Sequence, residues 1–170
     1  MEIRPEQDRD HTQIYEVNQL AFGQRDESEL IENIRQGNNF IKALSIVAVE
    51  DKQVVGHILF TKIRIPTSPD LKLLALAPMA VHPDWQNQGI GKKLIKNGLK
   101  QAKELGFEAV IVLGHAGYYP KFGFKKASDW QIKSPFKVPE EAFMALELQD
   151  GALKGKAGTV QYGSEFLAFE

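Results

Sequence analysis

No cysteine occurs anywhere in the 170-residue chain. Disulfides, thiolate metal sites and cysteine nucleophiles are excluded together. Net charge is almost absent as well, because 21 basic residues stand against 22 acidic ones for a formal value of -1. The broad positive field that drives non-specific nucleic-acid binding is missing, so no nucleic-acid partner is expected and any anion site has to be local. The histidines, His11, His57, His82 and His115, are scattered without the spacing of a zinc site, and no metal is expected. No apolar run approaches the roughly 20 residues that span a bilayer. The opening stretch MEIRPEQDRD is too polar for a secretory signal, so a soluble, cytoplasmic protein without a membrane partner is expected. What the chain does have is 43% hydrophobic residues. That suffices for one substantial core and is short for two ordinary domains, so a single domain over residues 1–170 is expected.

Periodicity sorts the chain into alternating strand-like and helix-like segments, without internal repeats or low-complexity linkers. A short strand, EIRP, closes at Pro5. From Asp10 to Phe22 the apolar residues Ile14, Val17, Leu20 and Ala21 recur at three- and four-residue steps, which predicts an amphipathic helix capped by Asp8 or Asp10. Ser28 to Ile34 predicts a second helix ending near Gly37. SIVAVEDKQVVGHILFTKIRI predicts two strands joined as a hairpin at EDKQ, followed by a turn at PTSPD. LKLLALAPMAV is the next strand, and Pro78 inside it marks a bulge or a missing ladder partner. A helix follows Asn87, with Ile90, Leu94, Ile95, Leu99, Ala102 and Leu105 on one side, and Gly106 ends it. EAVIVLG is a nearly continuous apolar run, as in a strand covered on both faces. FMALEL and TVQYGSEFLAF are expected as the last strands. The order implies an α/β class with a mixed sheet.

One stretch, APMAVHPDWQNQGIGKKLI at residues 77–95, poses an electrostatic question. Lys92 and Lys93 fall in the first turn of the predicted helix, where the helix dipole is already positive. A strand that ends in a loop opening a glycine-containing helix points unpaired backbone N–H groups in one direction, which makes an anion cradle. Packing glycines beside a solvated lysine face would give the same composition. Neither common nucleotide motif fits: a dinucleotide fingerprint needs glycine where Leu94 stands, and a P-loop needs glycine at Gln86 and Ser or Thr at Lys93.

Gln86-Asn87-Gln88-Gly89-Ile90-Gly91 resembles the pyrophosphate loop of GNAT-type acyl-CoA N-acyltransferases: Gln or Arg, any two residues, Gly, any residue, then Gly or Ala. MAVHPDWQ before it resembles the strand and turn that precede that loop in the family. GYYPKFGF, residues 117–124, resembles the aromatic-Tyr-x-x-x-Gly-Phe segment after the fifth strand. VLGHAGYYPKFGF with FMALELQDGALKGKAGTVQY looks close to the YhbS-like group of predicted acetyltransferases, and the resemblance covers nearly the whole chain.

The resemblance implies the GNAT fold, a central mixed β-sheet splayed between strands 4 and 5 and flanked by helices. It implies acetyl-CoA as cosubstrate, with the pantetheine arm on the backbone of Met79, Ala80 and Val81, the pyrophosphate over Asn87, Gln88, Gly89, Ile90, Gly91 and Lys92, and Gln86 as a further cofactor contact. It further implies direct attack by a primary amine of an unidentified acceptor, a small molecule or a peptide amine, in a monomer or homodimer. Tyr119 matches the tyrosine that meets the CoA sulfur, as general acid and as a cofactor contact; a phenol with an unperturbed pKa of about 10 stays protonated at neutral pH. Tyr118 is the competing candidate. A catalytically silent acyl-CoA-binding regulatory domain or an interaction module could carry the same loop, although Tyr119 argues for turnover.

For the general base, His115 at the end of the fifth strand is the candidate by position. His57 in the third strand and Glu27 or Glu29 near the second helix stand beside it. His82, before Pro83, is expected to shape the turn. The segments ESELIENIRQ and SDWQIKSPFKVPEEAF are expected to border the acceptor. Trp130, Phe136 and Phe143 are candidate pocket aromatics, and Glu27, Glu29 and Glu32 candidate amine receivers, with core packing and a solvated helix face as the alternatives.

Overall fold

Almost every residue of Gln53–Ile63 is buried, so this strand must lie inside a sheet with cover on both faces. The computed structural model describes residues 1–169 and shows how that cover is supplied. In chain order the elements are β1 (Glu2–Pro5), α1 (His11–Phe22), α2 (Asp26–Gln36), β2 (Ser45–Glu50), β3 (Gln53–Ile63), β4 (Leu73–Val81), α3 (Ile90–Glu104), β5 (Ala109–Leu113), β6 (Lys125–Lys126), β7 (Ile132–Lys133), β8 (Phe143–Glu147) and β9 (Gly158–Thr159). Seven strands form one mixed sheet in the order β1-β2-β3-β4-β5-β8-β6, in which only β4 and β5 run parallel. β7 and β9 pair separately.

Alternation along the strands divides the core between the two faces. Ile46, Ile58, Phe60, Leu74, Leu76 and Val110 pack under α3 with Ile90, Leu94 and Ile95. Val47, Val54 and Ala80 face the other way, against Ile14 and Val17 of α1 and Ile31 of α2. The expected hairpin is present: Asp51 and Lys52 join β2 to β3 with φ of 49° and 65°, the positive pair that a tight two-residue turn requires. The expected bulge is present as well. Ile58 faces Met79 while Phe60 faces Leu76, so β4 spends one residue more than β3 around Ala77 and Pro78.

Three expectations are corrected. α2 begins at Asp26 rather than Ser28 and runs to Gln36, because Asp26, Glu27 and Glu29 suit the positive end of its dipole. Asp10 does not cap α1 with its side chain. Its carboxylate accepts from Gln7 N–H at 2.7 Å and from Arg4 at 2.7 and 3.1 Å, closing the short 3-10 turn that precedes the helix. TVQYGSEFLAF is not a strand: after β9 and one bridge between Arg64 and Gln161, it turns into 3-10 helix from Ser164. The turn into that helix brings Phe166 back against Tyr162, with ring centroids 4.9 Å apart. Phe166 covers Leu30 and Ile34 of α2 instead of extending the sheet.

The edge of the sheet at β1 is tied down by a buried polar cluster. Glu6 accepts from Arg35 Nε at 3.0 Å and Nη2 at 3.1 Å, lies 2.8 Å from His11 Nε2, and accepts from the Ser45 hydroxyl. Ser45 Oγ in turn accepts from His57 Nε2 at 2.9 Å, and Asn18 Nδ2 lies 3.4 Å from His57 Nδ1. One carboxylate thereby joins β1 to the start of α1, the end of α2, β2 and β3. Burial alone would raise the Glu6 pKa, but the Arg35 and Ser45 hydrogen bonds outweigh it and hold the carboxyl below its usual range. His57 is fully buried, and its pKa is pushed down to about 4 chiefly by that burial, with Glu6 opposing and Arg35 adding. The unfolded chain takes up the His57 proton near pH 6.5 and the folded protein only near pH 4. Stability therefore falls as pH drops through that window, and His57 alone accounts for about 2 kcal/mol between pH 7 and pH 5. Urea titrations at the two pH values should show a drop of that size in the native chain and a distinctly smaller one in His57→Gln; equal slopes would contradict the buried neutral imidazole.

Candidate active site

β4 and β5 pair over only four residues, Leu73–Leu76 against Ala109–Val112. Beyond the bulge, β4 continues to Val81 held by β3 alone, with Met79 opposite Ile58, Ala80 opposite His57 and Val81 opposite Gly56. His82 N–H donates to Val55 O at 2.8 Å on the β3 side. Backbone polar groups alternate sides along a strand, so Ala80 faces β3 as well, and Met79 and Val81 turn theirs toward the gap. The carbonyl of Val81 is already taken, by Gln86 Nε2 at 3.1 Å. Met79 and the N–H of Val81 thus form an open backbone edge inside the sheet, a place for an extended ligand to add as a strand.

At the end of that edge His82 accepts from Asp84 N–H at 3.1 Å and caps the 3-10 turn Pro83–Trp85, in the turn-shaping place expected of it. The chain then passes through Asn87 at φ 64° and Gly89 at φ 82° into α3. Lys93 N–H donates to Gly89 O, the first bond of the helix, so the N–H groups just before it lack helical partners. The first turn of α3 contains no acid. A cavity of about 430 Å³ opens here, lined by Met79, Ala80, Val81, Gln86, Asn87, Gly89, Ile90, Gly91 and Lys92 together with Trp85 and Tyr118. Of the residues expected around the cosubstrate, Gln88 is exposed and does not line it, and Tyr119 lies in the adjoining cavity. A Cβ on Gly91 would stand 3.3 Å from both Met79 Cε and Tyr118 Oη, so glycine keeps the floor open at this point.

The adjoining cavity is larger, about 1090 Å³, and shares Phe22, Met79 and Tyr118 with the first. Leu76 to Met79 and Val112 to Gly114 form its inner end, where the strands part, and Tyr118, Tyr119 and His115 stand beside them. Tyr119 follows a turn in which Tyr118 N–H and Tyr119 N–H donate to His115 O at 3.0 and 3.3 Å. Its ring is 8% exposed and packs edge-on against Tyr118 and Phe124, with centroids 5.2 and 5.7 Å apart. Burial first, then the neighbouring Tyr118, pushes its phenol up to about 12. Among the described residues its hydroxyl has no hydrogen-bond partner, which leaves it available to a ligand.

His115 is exposed and lines the larger cavity, whereas His57 lines neither. Glu27 lines it; Glu29 and Glu32 do not. Phe136 lines it, while Trp130 packs against the core under β7 and Phe143 is buried within β8. Leu30 lies in the ESELIENIRQ segment expected to border the acceptor, whereas sequence reasoning missed Tyr162 and Phe166, whose only signal was a four-residue aromatic spacing near the end of the chain. Among the described residues no group of three or more His, Asp or Glu side chains could hold a metal, and no helix is long and apolar enough to cross a membrane.

A mixed sheet split between a parallel pair, with an open strand edge, an acid-free helix start beside a cavity and a buried tyrosine across the gap, defines an acyltransferase architecture. The chain belongs to the acetyltransferase (GNAT) family, whose model matches residues 10–124. N-acetyltransferase YjhQ of Escherichia coli (strain K12) is 39% identical over 134 residues, 78% of this chain and 74% of that one. N-acetyltransferase YhbS of the same strain is 32% identical over 150 residues, 88% of each chain. The structure of Escherichia coli YhbS in complex with CoA superposes with a TM-score of 0.93 at 30% identity, covering 99% of this chain and 93% of that one. A GNAT family acetyltransferase from Brucella melitensis in complex with acetyl-CoA gives 0.80 at 32% identity over 97% of each chain.

The placement of Tyr119 depends on room at Gly114, where a Cβ would come within 2.4 Å of Tyr119 Cε2. Gly114→Ala should therefore cost about 1–3 kcal/mol by overpacking, more than the 0.4–1 kcal/mol regained from a stiffer unfolded chain. Denaturant titration checks this, and a variant as stable as the native chain would show that the ring is not confined there.

Proposed function

We propose that this chain, acting as one domain over residues 1–170, transfers an acetyl group from acetyl-CoA to a primary amine by direct attack. The observation that carries the reading is the meeting, at one split in the sheet, of the open Met79–Val81 edge, the acid-free start of α3 and the hydroxyl of Tyr119. The CoA and acetyl-CoA bound to the two solved relatives support it.

The N–H groups around Gly89 to Lys92 take the pyrophosphate, and its charge balances Lys92 and Lys93 at the positive end of the helix. Met79 and Val81 hold the pantetheine amides as an added strand. A backbone N–H at the same edge meets the thioester oxygen as negative charge gathers on it, a kind of contact worth about 2.7–4 kcal/mol where single donors have been removed elsewhere. The amine nitrogen forms its bond to the acetyl carbon as the carbon–sulfur bond breaks. One proton leaves nitrogen, with His115 as its acceptor, and one reaches sulfur from Tyr119; no electrons leave the system. Tyr119 with a pKa of about 12 is fully protonated at neutral pH. Complete transfer from such a phenol to a thiolate near 8.5 climbs about 5 kcal/mol, so its largest contribution is a hydrogen bond that strengthens as the sulfur departs.

Acetyl-CoA at a hundredfold excess over Kd should raise the melting temperature by about 5–10 °C. No rise at saturating cosubstrate would end the acyltransferase reading. With thiol release as the readout, Tyr119→Phe should lower kcat about 10²-fold while leaving KM for acetyl-CoA nearly unchanged. His115→Gln should lower kcat at least about tenfold, and full activity in either variant removes the role given to that residue.

A further inference from the structure

The larger cavity extends past Tyr119 into a chamber whose walls differ sharply from the rest of the surface. Phe136, Tyr162 and Phe166 stack in series, with centroids 5.0 and 4.9 Å apart. Leu30, Phe22 and Leu113 complete the apolar lining. Phe22 and Leu113 remain 40% and 43% exposed, two of the few large hydrophobic side chains left open to water, and both face this space. Burial raises the Tyr162 phenol, which keeps the aromatic wall uncharged.

Charge in the lining is sparse. Among the described residues that line it, Glu27 is the one carboxylate, Lys137 the one ammonium, and His115 the remaining titratable group apart from the tyrosines. Glu27 is half-buried in the first turn of α2, and Gln24 Nε2 holds both its oxygens at 3.0 and 3.1 Å. Among the described residues no cation lies within 4.0 Å of it. Among the described residues its oriented carboxylate thus has no charge partner, and it stands at a cavity whose lining is otherwise largely apolar and aromatic.

Resting on the acetyl-transfer reading above, we propose that the acceptor is a primary monoamine carried on an apolar body of aryl size. Glu27 receives the ammonium as the molecule enters, and the Phe136–Tyr162–Phe166 wall holds the body. A polyamine fits poorly: among the described lining residues a second ammonium would meet no second carboxylate, and the lining holds Lys137 instead. A peptide backbone fits poorly as well, since its amides would lie against aromatic rings without partners.

The test measures kcat/KM at saturating acetyl-CoA for 2-phenylethylamine, spermidine and a tetrapeptide with an N-terminal alanine. Phenylethylamine should exceed both others by at least about tenfold. Glu27→Gln should raise KM for phenylethylamine at least about tenfold with a smaller change in kcat, and Phe136→Ala should also raise it. Both variants should keep the melting shift with acetyl-CoA, which shows them folded with an intact cosubstrate site. Preference for spermidine or the peptide, no turnover of phenylethylamine, or an unchanged KM in Glu27→Gln overturns the proposal. If acetyl-CoA still stabilises the protein, those results leave the acyltransferase reading standing; absence of stabilisation sinks both.

Discussion

Away from its edges, a β-sheet can offer its own backbone to a ligand only where two neighbouring strands stop pairing, and here that happens after four residues of β4 and β5. Unpaired backbone groups inside a sheet are costly when dry, so the gap has to be wet or filled. The bulge at Ala77 and Pro78 sets where pairing ends, since proline has no N–H and the extra residue re-aims the strand. α3 starts beside the end of β4, and the tyrosine turn follows the end of β5. The acid-free start of α3, the open edge and Tyr119 therefore share one geometric cause.

The opposite edge of the sheet shows how such a gap is tolerated. Glu6 collects a strand, two helix ends and the β2–β3 pair around a single charge, fully enclosed and matched by Arg35. Removing one partner from a buried pair of this kind typically costs 3–5 kcal/mol, so this edge is held independently of the split between β4 and β5. α1 and α2 are anchored there, and their other ends, Phe22 and Glu27, reach the large cavity. Rigidity at the hub and openness at the split are carried by the same two helices.

Much of this was legible in the sequence because it is encoded locally. The period of α1 and α3, the hairpin at Asp51 and Lys52, the bulge at Pro78 and the glycine-bearing entry to α3 each depend on residues within a few positions of one another. The polar hub was not legible, since residues 6, 11, 35, 45 and 57 share no local pattern and meet only after the sheet has formed. For the same reason His57 read as a candidate base when it is a sealed structural group. The tail misled by composition: TVQY is strand-like, but Phe166 packs against α2 and Tyr162 against the core around β8, and both line the cavity instead of lengthening an edge. Gln86 matched a motif, yet the bond it makes is to Val81 of its own chain.

Phe22, Met79 and Tyr118 belong to the walls of both cavities. Two ligands seated side by side across such a shared partition touch each other as well as the protein, so each covers apolar surface that the other would otherwise leave in water. Their affinities are then linked by a coupling free energy that is the same whichever binds first. A single molecule joining the two would keep both sets of contacts while surrendering its freedom of movement once, and its gain would be governed by how well the joint spans the gap between Met79 and Tyr118.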